Sequence, residues 1–175
     1  ALQMIRKNTE IIKDSGASIL LLSCPICYRI FKEKYDLAGI EVLHHTEYID
    51  RLIQEGRLNP QKSELKYAYH DPCELGRGCG IYEQPRRVVE AAGVLVEGRK
   101  NRKESICCGG SLGSLTLGYD RRKPLVENAL ANLTMASPDI VVTACPLCKN
   151  TFARYSECPV MDIAEVVNRT ISENK

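Results

Sequence analysis

Apolar and polar positions along the chain predict short strands separated by helices. Residues 3–15 place Met4, Ile5, Ile11 and Ile12 at helical spacing, and Gly16 follows as a stop. Ile19-Leu20-Leu21-Leu22 reads as a short buried strand, and Pro25 opens a helix running to about Tyr35. Ile40 to Leu43 predicts a second strand, 46–56 a second helix, and Asn59-Pro60 a linker over residues 57–65. A new unit starts with the strand Lys66 to His70. A loop with glycines at 76, 78 and 80 leads into a helix over 81–92, and Val94-Leu95-Val96 makes a brief strand. Cys107-Cys108-Gly109-Gly110 begins another glycine-rich loop, and Leu125, Val126, Ala129, Leu130 and Leu133 mark a core-facing helix. Ile140-Val141-Val142 is a strand, after which Pro146 opens a helix whose successor, near Ile163 to Ile171, is also apolar on one face. This alternation predicts an α/β fold with mostly parallel strands.

The pattern repeats within the chain. Ser23-Cys24-Pro25-Ile26-Cys27 with Phe31 matches Ala144-Cys145-Pro146-Leu147-Cys148 with Phe152. Each copy follows a helix and an apolar strand and precedes a helix, a short strand and another helix. Val42-Leu43-His44 through Glu47 parallels Val160-Met161-Asp162 through Glu165. The organisation expected is a duplicated module. Residues 1–56 are the C-terminal half of a first copy, 57–65 a linker, and 66–175 a complete second copy. The chain is then expected to begin inside a larger protein, with a further Cys and a Cys-Cys-Gly, or a degenerate version of it, encoded upstream.

Composition narrows the function. Twenty-four basic against 22 acidic residues leave a formal charge of +2, too small to imply a nucleic-acid partner. The clusters Arg99-Lys100-Asn101-Arg102-Lys103 and Arg121-Arg122-Lys123 read as solvated loops, with docking of an acidic partner as the sharper alternative. Charges at Arg6, Lys7, Glu10 and Lys13 interrupt any signal-like run, and the apolar stretch 19–22 is too short to span a bilayer. A cytoplasmic protein without a transmembrane segment is the expectation.

Nine cysteines are too few for a disulfide scaffold of this length, and their grouping suits metal binding in a reducing compartment. Cys73 follows a strand; 33 residues separate it from Cys107-Cys108, and 36 more precede Cys145-Pro146-Leu147-Cys148. Loops at the C-terminal ends of parallel strands converge on one crevice, so these five thiols can meet. Cys145 and Cys148, at a helix start, lie beside free N–H groups and the positive end of the helix dipole, which favours thiolate; Cys24 and Cys27 share that setting. Five thiols overfill a tetrahedral zinc site, and adjacent Cys107 and Cys108 are awkward on one ion. A multinuclear iron–sulfur cluster accepts neighbouring thiolates on different irons, and the glycines at 109, 110 and 113 can bring N–H groups to sulfur. Zinc held by four of the thiols, and a cluster-free dithiol working through Cys145 and Cys148, stay open as rivals.

Other residues attract blander readings. Cys79 and Cys158 read as buried or incidental thiols, His70 as a structural histidine at a strand end, and His44 and His45 as packing or surface residues. Gly76-Arg77-Gly78 resembles a dinucleotide fingerprint, but its third glycine would fall at Ile81, so the pattern fails. No Ser-His-Asp or paired-carboxylate constellation stands out, and no catalytic residue is assigned.

Cys73, Cys107-Cys108-Gly109 and Cys145-Pro146-Leu147-Cys148 together resemble the CCG cysteine-rich domain. That domain forms the catalytic subunit of heterodisulfide reductases and recurs in iron–sulfur subunits of lactate, glycolate and glycerol-3-phosphate dehydrogenases. His70-Asp71-Pro72 ahead of Cys73, and Gly80 to Arg86, share the likeness. The resemblance implies an electron-transferring oxidoreductase with a [4Fe–4S] cluster, non-cubane in form, on Cys73, Cys107, Cys108, Cys145 and Cys148. It also implies flavoprotein or other electron-transfer subunits as partners and a disulfide or quinone-linked substrate. The family carries tandem copies, whereas the first copy here keeps only Cys24 and Cys27. Two ligands make a poor metal site, so this pair is expected to be metal-free.

Overall fold

A computed structural model describes residues 2–110 and 116–172; Gly113, expected beside the thiols, lies outside them. The strands form two parallel sheets. In the smaller, β1 (Ile19–Leu22) pairs with β2 (Glu41–His44), Leu20 opposite Val42. The larger contains β3 (Lys66–His70), β4 (Val94–Val96), β5 (Ile140–Thr143) and β6 (Val160–Asp162) in the order β4-β3-β5-β6. Each neighbouring pair is parallel, as the α/β pattern requires. The helices are α1 (Leu2–Asp14), α2 (Pro25–Lys34), α3 (His45–Gln54), α4 (Gly76–Cys79), α5 (Glu83–Ala92), α6 (Tyr119–Thr134), α7 (Pro146–Phe152) and α8 (Ile163–Ser172).

All four residues of β5 are buried, which explains its unbroken apolar run: a central parallel strand is covered on both faces. Side chains alternate between those faces. Tyr67, Tyr69, Ile140 and Val142 join Val88, Val89, Ile163 and Val166 in one core. Ala68 and Val141 join Val126, Ala129, Leu133 and Phe152 in the other. Burying each large apolar side chain contributes about 1.5–3 kcal/mol, so the two faces of this sheet dominate the stability.

Three local expectations change. The glycine-rich stretch after Cys73 contains a one-turn helix, α4, ended by Gly80 at a left-handed φ of 74°. Leu125 and Ile171 point outward, and the inward face of α6 is carried by Val126, Ala129, Leu130 and Leu133. Helix α1 buries no residue, because it lies against the end of α2 through the contacts Asn8–Tyr35 and Lys13–Asp36 rather than on a sheet face. Residues 57–65 are tied down: Gln61 N–H donates to the Thr170 carbonyl and Ser63 N–H to that of Ala92. No described helix is long and apolar enough to cross a membrane.

The two sheets meet where α3 packs on α5 and α8. Helices α3 and α8 start alike. His44 N–H donates to Glu47 Oε2 at 2.9 Å, and Asp162 N–H donates to Glu165 Oε2 at 2.7 Å. His44 Nδ1 accepts the Thr46 N–H, completing a capping box with an imidazole where serine or aspartate is usual.

That imidazole is fully buried, and burial, reinforced by neighbouring His45, pulls its pKa down to about 3. The unfolded chain protonates this site near pH 6.5 while the folded chain does not, so no stability is lost above about pH 7. Below pH 6.5, stability is expected to fall by about 1.4 kcal/mol per pH unit for this residue until the folded pKa is reached. Urea unfolding across that range should show a shallower acid slope for His44→Asn than for the wild type. Parallel slopes would remove His44 as the source.

Candidate metal centre

In the order β4-β3-β5-β6 the chain leaves β3 for one side, then crosses to the other to make β5. Such a reversal opens a crevice beyond the C-terminal ends of the two central strands. Cys73 lies three residues past β3 and Cys145 two past β5, so both reach that crevice. Cys145 is the extended N-cap of α7, with Pro146 starting the helix and Cys148 in its first turn. Cys107 and Cys108 arrive on a loop that follows a 3-10 turn at Arg102–Glu104. Two glycines let this loop close in. Gly109 has φ 72°, and a Cβ on Gly110 would collide with the side chain of Thr151 on α7.

The five thiols form one row. Cys73 Sγ lies 4.0 Å from Cys107 Sγ. Cys107 interacts with its neighbour Cys108, Cys108 with Cys148, and Cys148 with Cys145. Pro72, Cys73, Glu74, Cys108, Cys145 and Cys148 line a pocket of about 20 Å³, room for one water. Among the described residues, no three His, Cys, Asp or Glu donors close on one point as a single-ion site needs.

Protons are shared unequally along the row. Hydrogen bonds from Cys108 and Cys73 hold Cys107 down to about 2, and the Gly109 N–H adds to them. Cys108 is correspondingly pushed up to about 12, although Gly110 N–H donates to its sulfur at 3.4 Å. Cys73 is raised, first by its bond to Cys107. Cys145 falls to about 7 because Cys148 donates to it, joined by the N–H groups of Cys148 and Leu147. Cys148 itself is raised by its bonds to Cys108 and Cys145 and by burial. At this helix start the thiol that is lowered is the N-cap Cys145, which receives the N–H groups, while the more deeply buried Cys148 is raised.

The first C-x-x-C has the same backbone setting, with Cys24 the extended N-cap of α2. Cys27 is raised by local desolvation and by its bond with Cys24, and Cys145 also acts on it. Ile26, between them, lines the thiol pocket, so the two C-x-x-C turns face each other. Cys79 packs against the core on the other face of the sheet, and Cys158 Sγ donates to the Pro138 carbonyl at 3.7 Å.

Spacing did not reveal the polar clamp behind the row. Asp71 accepts two bonds of 2.8 Å from Arg86, both side chains buried, and its Oδ2 also accepts the Arg102 N–H at 2.8 Å. Arg86 bonds in turn to Glu97 at 2.6 Å. Arg77 donates to the Ser105 carbonyl at 2.7 Å, and Ser105 Oγ donates to the Asp71 carbonyl. His70 is buried, with Nε2 3.2 Å from the Ile106 carbonyl and Nδ1 3.3 Å from Thr143 Oγ1; burial pulls its pKa down to about 4. The only signal for this clamp was the family-like His-Asp-Pro lead-in and Arg86.

Residues 67–153 match the profile of the CCG cysteine-rich domain, and all five cysteines fall within them. The chain belongs to the CCG cysteine-rich domain family. It is 32% identical to the EtfAB:quinone oxidoreductase of Syntrophomonas wolfei, over 94% of this chain and 26% of that protein. It is 33% identical to one subunit of the dihydromethanophenazine:CoB–CoM heterodisulfide reductase of Methanosarcina acetivorans, over 85% of this chain and 38% of that polypeptide. An iron–sulfur protein of Methanocaldococcus jannaschii is 31% identical over 87% of this chain and 31% of its own length. The chain thus spans between about a quarter and two-fifths of these relatives. The matches take in 85–94% of it, well beyond the CCG profile.

Proposed function

We propose that the chain is the iron–sulfur electron-transfer module of an oxidoreductase and binds a [4Fe–4S] cluster through Cys73, Cys107, Cys108, Cys145 and Cys148. The observation that carries this reading is the single row of five thiols drawn from the ends of two strands, a glycine loop and a helix start. A row suits several irons better than one zinc, which needs four donors around one point. When bound, such a cluster takes up and releases one electron at a time.

The protein's own groups prepare the site. Cys73, Cys107, Cys108, Cys145 and Cys148 would hold the cluster as thiolates, giving up their remaining protons as they become ligands. The N–H groups of Gly109, Gly110 and Leu147, which lie beside sulfur, would offset negative charge on a bound cluster and so raise its potential. Ile26, Pro72 and Leu147 keep water away.

The names of the relatives support two kinds of electron acceptor, a disulfide or a quinone, with electrons delivered by a flavoprotein or another subunit. Residues 1–56 are proposed to be the C-terminal half of a first repeat. The matching caps of α3 and α8 support this, as do two strand pairs of the same parallel kind. Nine free thiols fit a cytoplasmic, reducing setting.

Anaerobic reconstitution with iron and sulfide is expected to give a brown protein with about four irons and four sulfides per chain. Stoichiometric zinc with negligible iron uptake would overturn the reading. The pair Cys24 and Cys27 is expected to stay metal-free, so changing both to Ser should leave iron content unaltered.

A further inference from the structure

His70 is not among the five proposed ligands, yet its ring touches every element that carries one of the five thiols. It ends β3, three residues before Cys73. Its Nδ1 meets Thr143, the last residue of β5, two before Cys145. Its Nε2 meets the carbonyl of Ile106, directly ahead of Cys107 and Cys108. Its edge packs on Phe152 at the end of α7, with ring centroids 4.7 Å apart.

The two polar contacts determine the tautomer. A carbonyl oxygen has no proton, so Nε2 must carry the hydrogen and donate it to Ile106. Nδ1 is then a lone pair, and the Thr143 hydroxyl supplies the hydrogen of the second bond. A buried ring bonded on both nitrogens and wedged against an aromatic has one orientation available.

The Ile106 carbonyl has particular need of this tie. The Ser105 carbonyl is held by Arg77, and beyond Cys108 the loop turns at Gly109. Between those points the Cys107–Cys108 pair lies in irregular backbone. Its reach toward Cys73 on one side and Cys148 on the other depends on where Ile106 stops.

We infer that His70 is the positioning residue of the thiol site: as the Nε2–H tautomer it holds the Ile106 carbonyl, and through it sets Cys107 and Cys108 between Cys73 and Cys148. The inference rests on the reading of these five thiols as one site. His70 is not a ligand, since both nitrogens are already engaged.

The test uses the full chain. In the ¹⁵N spectrum of the wild type at neutral pH, His70 is expected as the Nε2–H tautomer. In the cluster-free, reduced chain, alkylation by iodoacetamide is followed cysteine by cysteine. His70→Leu should label Cys107 and Cys108 about tenfold faster, because the loop opens without its tie, while Cys158 reacts at the wild-type rate. His70→Gln, whose amide N–H can still reach the Ile106 carbonyl, should stay within about twofold of the wild type. After anaerobic loading, the paramagnetic resonance signature should change in His70→Leu and be restored in His70→Gln. An Nδ1–H tautomer, unchanged labelling in His70→Leu, or equal acceleration at Cys158 would each overturn the inference. Should His70→Leu fail to fold, the wild-type tautomer decides alone. A wild type that takes up no iron while tautomer and labelling behave as stated would sink the cluster reading and leave the clamp standing.

Discussion

Cys108→Ser and Cys145→Ser are each expected to lose or alter the cluster on anaerobic reconstitution, whereas Cys79→Ser and Cys158→Ser should keep the full complement of iron. Cys145 is the thiolate on which α7 directs its first N–H groups, and it takes its remaining hydrogen bond from Cys148. Cys108 joins the Cys73–Cys107 end of the row to the Cys148–Cys145 end, so its loss divides five donors into two separate pairs. Cys79 packs among core side chains and Cys158 bonds to a backbone carbonyl; neither has a place in the row. Iron and sulfide analysis with the visible spectrum of each variant makes the comparison. A colourless Cys79→Ser would show that Cys79, not Cys73, is the leading ligand.

Arg86→Leu is expected to destabilise the chain by about 3–5 kcal/mol, the usual result of removing one partner from a buried ion pair. Both Arg86 and Asp71 are almost fully buried, and the substitution deprives Asp71 of two short bonds, leaving its carboxylate the neutral backbone N–H of Arg102 as a donor. For a domain of this size the melting temperature should fall by roughly 10 °C or more. The double variant Asp71→Leu with Arg86→Leu should recover part of that loss, because no unpaired charge stays buried. Asp71 also ties Arg102 and, through its carbonyl, Ser105. Loosening of the loop that carries Cys107 and Cys108 should therefore accompany the drop. A loss below about 1 kcal/mol would mean that water reaches the pair and screens it.

Much of this architecture is legible in the chain's pattern. The run Ile140-Val141-Val142 and the stretch Lys66 to His70 both read as strands, and the structure pairs them in parallel as central neighbours. The proline after each first cysteine marks two helix starts that the structure contains. Less legible were the roles of individual apolar residues. Met4, Ile11 and Leu125 have helical spacing yet face outward, because periodicity shows which residues share a face and not whether that face meets a partner.

The sequence by itself determined the α/β alternation and the family, since each rests on spacing along the chain. It also placed the five cysteines next to strand ends, helix starts and glycines. Only the tertiary structure decided how protons are shared along the row, for that depends on which sulfur receives backbone N–H groups and which must donate to a neighbour. The sheet order likewise belongs to the fold: the crevice exists because the crossovers leave β3 on opposite sides. The clamp of His70, Asp71, Arg77, Arg86 and Ser105 is assembled from residues far apart in sequence: His70 bonds to Ile106, 36 positions on, and to Thr143, 73 positions on. No local pattern records such pairs, because burial and partnership are set by packing rather than by neighbours in sequence.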